Sequence, residues 1–92
     1  MNKVINGKHY NTETAQELAK RAVAETSAGH ACSYERLYRK RTGEYFTCTD
    51  GDAWEYGVNV YIKTLAFSEA KAWAEKWLDG SEYIGIFGDA EE

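Results

Sequence analysis

The sequence predicts a single α+β domain over residues 1–92: a small antiparallel sheet of three main strands covered by two helices, in the order β-α-β-β-β-α, with a short C-terminal helical turn. Three features predict it. Residues 35–49, ERLYRKRTGEYFTCT, place two runs of aromatic and β-branched residues around Thr42-Gly43, the pattern of a β-hairpin. Two other stretches repeat apolar residues at the i, i+3, i+4, i+7, i+8 spacing of an amphipathic helix. Finally, the chain has no proline and 14% aromatic residues, whose rings can close a core that 92 residues of small aliphatics could not.

The elements follow in chain order. Lys3-Val4-Ile5, Asn6-Gly7 and Lys8-His9-Tyr10 read as a minimal extended segment, a turn and a return. Thr14 and Glu17 have capping-box spacing, and Ala15, Leu18, Ala19, Ala22 and Val23 form one stripe, so a helix is expected from Thr14 to the Ser27-Ala28-Gly29 stop. His30 to Tyr34 connects it to the hairpin. Asp50-Gly51-Asp52 then marks a turn, and Trp54-Glu55-Tyr56-Gly57 completes a loop. From Asn59 to Leu65 apolar residues alternate, which predicts the third main strand.

Ser68 suits a helix N-cap, with Glu69 in the first turn. Ala70, Trp73, Ala74, Trp77 and Leu78 repeat the helical stripe, so both tryptophans are expected to face the single core between sheet and helices. Asp79-Gly80 ends this helix. Ser81 to Gly88 suits a short helix or a terminal strand, with Gly85 weakening both and a helical turn favoured, and Asp89-Ala90-Glu91-Glu92 forms a solvated tail.

Charge narrows the function classes. The formal net charge is −4, and residues 68–92 hold seven carboxylates against two lysines. Broad nucleic-acid binding calls for a net basic face. An acidic chain suits a basic protein surface, including one that normally holds nucleic acid. Asp50, Asp52, Glu55, Asp79, Glu82 and Asp89 are the candidate acidic partner-binding residues; their plainer role is solubility. The alternative site is the basic first strand of the hairpin: Arg36, Arg39, Lys40 and Arg41 interleaved with Tyr38 and Tyr45 to hold phosphate and stack bases. Its plainer role is a charged edge strand that resists aggregation.

No catalytic constellation emerges, and no cofactor or metal is expected. His9, His30, Cys32 and Cys48 lack zinc-ligand spacing, since His30-x-Cys32 is too tight. A Cys–His nucleophile pair has no residues to orient the base or receive an oxyanion. Asp50-Gly51-Asp52 lacks the remaining calcium-loop positions. The start, MNKVINGKHY, has no apolar run of signal-peptide length, and no stretch is long enough to span a membrane. A cytosolic monomer or small homo-oligomer with reduced thiols is the expectation.

Four segments together form a pattern: INGKxYxTETA (Ile5–Ala15), LYRxxxGxYF (Leu37–Phe46), EAxxWxExxL (Glu69–Leu78) and DGxEYxxIFG (Asp79–Gly88). This pattern resembles small proteins encoded by phages and mobile elements of Gram-positive bacteria, which also carry anti-CRISPR proteins. After the hairpin the pattern continues with further glycines, whereas this chain has TCTDGDAWEYG. The resemblance implies a cytosolic inhibitor that binds a protein partner, such as a CRISPR effector or another nucleic-acid-processing complex, and excludes its nucleic acid.

Overall fold

The computed structural model describes residues 2–25, 31–51 and 61–88, and the structural statements below concern these. The chain is α+β, with two antiparallel sheets and two helices. Strands β1 (Asn2–Ile5) and β2 (Lys8–Asn11) form a separate hairpin. The main sheet has four strands in sequential order: β3 (Gln16–Glu25), β4 (Ala31–Arg39), β5 (Tyr45–Gly51) and β6 (Tyr61–Leu65). Helix α1 (Phe67–Trp77) and helix α2 (Gly80–Phe87) follow.

The first hairpin turns on Asn6 (φ 52°) and Gly7 (φ 76°), two consecutive left-handed residues as a two-residue turn of matching twist needs. The β4–β5 hairpin turns where expected, with the Gly43 N–H donating to the Lys40 carbonyl at 2.9 Å and Gly43 at φ 93°. Both turns were legible from their glycines.

The expected first helix is a strand. Residues 16–25 pair antiparallel with β4, so the main sheet has four strands, not three, and the order is not β-α-β-β-β-α. The apolar stripe over 15–23 is mostly alanine, and docking it as a helix would bury little area. As a strand, the same residues satisfy one backbone edge of β4 and bring Arg21 opposite Glu35. Register shifts between Glu17 and Ala19 and between Ala22 and Ala24 bend β3, as bulges do at sheet edges. The presumed connector before the hairpin is likewise strand from Ala31, and Asp50 and Gly51 extend β5 opposite Tyr34 and Ser33 rather than turning. The third strand is described from Tyr61; the part of it expected over 59–60, the 52–57 loop and the stop at 27–29 lie outside the described residues.

The sheet is covered on both faces, so there are two cores instead of one. Leu37 and Tyr45 meet buried Ala70 of α1, with Leu18, Leu65, Trp73 and Phe87 around them. On the opposite face Tyr38, Phe46, Cys48 and Ile62 meet Tyr10 of the first hairpin, with Ile5 and Ala15 packed alongside. There Tyr38 stacks on Phe46 (5.1 Å between centroids, 10° between planes), and Tyr10 stands edge-on to the same ring at 5.3 Å. Buried Ala70 and Ala74 give α1 its close approach to the sheet.

The N-cap of α1 is Ala66 rather than Ser68; the Ala66 N–H donates to Glu69 Oε1 at 2.8 Å, so the acid expected in the first turn also caps the helix. Residues 80–87 are a helix, longer than a turn, with Asp79 Oδ1 accepting from the Glu82 N–H at 2.8 Å. Among the described residues no helix is long and apolar enough to cross a membrane.

Candidate functional site

The basic residues of the hairpin do not all share one surface: Arg39, Lys40 and Arg41 line one cleft, and Arg36 lies apart from them. Successive side chains along β4 point to opposite faces, so Arg36 and Arg39 part company. Arg36 Nε lies 3.2 Å from Glu17 Oε1, and its guanidinium sits 5.6 Å from the Tyr34 ring centre, which Lys20 also approaches at 5.0 Å. Arg39 donates to Gln16 Oε1 at 3.1 Å. Lys40 Nζ is 3.4 Å from Glu44 Oε1 and 4.3 Å from the Tyr10 ring centre. Arg41 stands exposed in the turn. The two aromatic residues placed among these cations, Tyr38 and Tyr45, are buried on opposite faces of the sheet, each in its own core.

Glu44 is the anion of this end. Its oxygens meet Lys8 at 3.1 Å and Lys40 at 3.4 Å, and the Thr42 hydroxyl donates to it at 3.1 Å. The Lys8 contact, with Thr42 and Lys40 behind it, holds the Glu44 carboxyl below the usual range. Burial, reinforced by the Glu44 charge, pushes the Tyr10 hydroxyl up.

The acidic candidates divide. Asp52, Glu55 and Asp89 lie outside the described residues, and Asp50 is described only as a β5 position. Asp79 caps α2, while Glu82 follows it, exposed in the first turn. Between α1 and α2 is a cleft of about 260 Å³ with walls of Ala74, Leu78, Tyr83 and Ile84 and with Glu75 and Asp79 at its edge. Ile84 is 45% exposed there, so an apolar side chain and two carboxylates share one surface. No family model, curated protein or solved structure matches the chain.

One buried charge escaped sequence reasoning. Glu35 is buried on the helix-facing side of β4, where its Oε1 accepts from Arg21 Nε at 2.8 Å and from the Trp73 indole N–H at 2.9 Å. Burial pushes its carboxyl up, but the Trp73, Thr47 and Arg21 side chains outweigh this and hold it below the ordinary value. Thr47 acts there as a nearby hydroxyl dipole; its Oγ1, like that of Thr49, is buried without a well-formed hydrogen bond. The signal was available: Glu35 shares strand parity with Leu37, so it had to face the same core. Arg21 also lies 3.7 Å over the Trp77 ring, so Trp77, expected in the core, is instead 41% exposed beneath a guanidinium. Trp73 is the half-buried member of the pair.

Among the described residues no three His, Cys, Asp or Glu side chains come together as a metal cluster. Cys48 is buried, and His30 lies outside the described residues.

Proposed function

We propose that this chain is a small protein-interaction module, an inhibitor carried by a mobile element that binds a basic surface of a host nucleic-acid-processing complex and excludes the nucleic acid. What supports this reading is where the rings and charges lie. The nucleic-acid alternative needs Tyr38 and Tyr45 to stack bases, and both rings are buried. It also needs the cations of the strand on one face, whereas Arg36 projects from the face opposite to Arg39, and the two are engaged by Glu17 and Gln16. The helix pair, in contrast, offers Ile84 beside Glu75 and Asp79, an apolar anchor with an acidic edge, and that combination fits a basic protein groove.

The test is inhibition of target-DNA binding and cleavage by purified CRISPR effector–guide complexes. Wild type is compared with E75Q/E82Q/I84S, with D50N/D52N/E55Q, and with R36Q/R39Q/K40Q/R41Q. Wild type is expected to block one effector, and the two acidic variants to lose more inhibition than the basic one. Wild-type binding to RNA or DNA tighter than the ~10⁻⁶ M edge of non-specific affinity, lost in the basic variant, would overturn the inhibitor reading.

A further inference from the structure

At the turn end of the sheet, two adjoining clefts of about 320 and 330 Å³ share Thr14, Lys40 and Arg41. One continues to Gln16 and Arg39, the other to His9, Asn11 and Thr42. The residues come from β2, the connection from β2 to β3, the first residue of β3, the last of β4 and the β4–β5 turn. The connection is drawn tight by the Asn11 carbonyl, which accepts from the Thr14 and Ala15 N–H groups at 3.3 and 3.1 Å. The Thr14 hydroxyl, 3.4 Å from that carbonyl, makes only a long contact there.

The charges in the cleft are unequal in freedom. Glu44, the carboxylate facing Lys40, is already compensated by Lys8, Lys40 and Thr42. Lys40 is held in place by the Tyr10 ring and by Glu44, yet its ammonium has three donors and Glu44 takes one. His9 Nε2 is engaged with Asn2 Oδ1, and the imidazole ring forms part of the cleft wall. Arg41 is exposed and, among the described residues, has no ion-pair or hydrogen-bond partner. A guanidinium has five donors in a planar fork, the geometry that grips a tetrahedral oxyanion with two parallel bonds.

We propose that the cleft between the β2–β3 connection and the β4–β5 turn binds a phosphate group, with Arg41 as the principal contact and Lys40 and Thr14 as supporting donors. The phosphate belongs to a small phosphorylated ligand or to a nucleic-acid backbone; the chemistry of the contact is the same. The cleft shares no residue with the acidic cleft of the helix pair; the inorganic-phosphate titration tests it apart from the inhibitor reading, whereas the oligonucleotide arm bears on both.

The experiment is an amide NMR titration of the whole chain with sodium phosphate against sodium chloride at matched ionic strength. Phosphate should give saturable shifts at residues 14–16 and 40–43 that chloride does not. R41Q, whose spectrum also reports that the fold is retained, should bind roughly ten-fold more weakly, the loss of one bidentate charge-assisted contact. K3Q, which changes an exposed cation outside the cleft, should bind as wild type does. Adenosine monophosphate and a short single-stranded oligonucleotide separate the sources. Affinity for the oligonucleotide beyond what its number of phosphates explains assigns the site to a nucleic-acid backbone; equal affinity per phosphate assigns it to a small ligand. Equal shifts with chloride, or R41Q binding phosphate as wild type does, would overturn the proposal.

Discussion

Glu35 of β4 accepts a hydrogen bond from the indole N–H of Trp73 on α1 at 2.9 Å, so a buried carboxylate links the sheet to the helix that covers it. Arg21 of β3 closes the same site at 2.8 Å and then stacks on Trp77, the next turn of α1. One acid therefore ties together β3, β4 and the helix. Removing a partner strands a buried charge, which costs more than the hydrogen bond itself contributes.

Trp73 and Trp77 should respond very differently to truncation. Trp73→Ala removes half-buried ring area and the Glu35 donor, a loss of about 3 kcal/mol. Trp77→Ala removes an exposed ring and one cation–π contact, about 1 kcal/mol. Urea unfolding of the two variants should show this order, and equal losses would contradict the placement of Trp77.

Acid should destabilise the fold partly through Glu35. Its folded-state pKa is lowered, so its contribution is complete above the unfolded value of about 4.3 and is lost as pH falls from there through the folded value. Glu44, lowered chiefly by its hydrogen bond from Lys8, acts in the same direction from an exposed position. Between about pH 5 and pH 3, Glu35→Gln should flatten the fall in unfolding midpoint that wild type shows. An unchanged slope in that variant would mean that Glu35 is not held ionised by its partners.

The first hairpin should be structural. Tyr10→Ala uncovers one side of Phe46 and is expected to cost about 3 kcal/mol, lowering the melting temperature by more than 10 °C at ~4–8 °C per kcal/mol. Val4, exposed on the same hairpin, should tolerate alanine within about 0.5 kcal/mol. Calorimetry of the pair distinguishes a hairpin that closes the second core from one that merely precedes it.

Gly43 sits at φ 93°, where an L-residue is strained even though a Cβ there would meet nothing. Gly43→Ala should cost about 1–2 kcal/mol through the backbone alone. A neutral result by chemical denaturation would show that the turn can relax into another type.

From residues alone, the α+β class, the 42–43 turn, the α1 stripe and a helical C-terminal segment could be read, because each depends on local chemistry. Gly43 needs a left-handed φ, Asn6-Gly7 needs two, and Ala70, Ala74 and Leu78 lie along one side of any helix they form. Tertiary structure decided the rest. Residues 16–25 have helical spacing, but their small side chains offer a helix little area to bury, while β4 offers a strand backbone partners and Glu35 offers Arg21 a buried carboxylate. Long-range pairing therefore overrode local preference. The same pairing settled which hairpin residues are accessible: Tyr45 pairs with Arg39, one position beyond Tyr38, so the two tyrosines fall on opposite faces, and a sheet covered on both faces buries both rings and leaves Arg41, in the turn, to meet solvent.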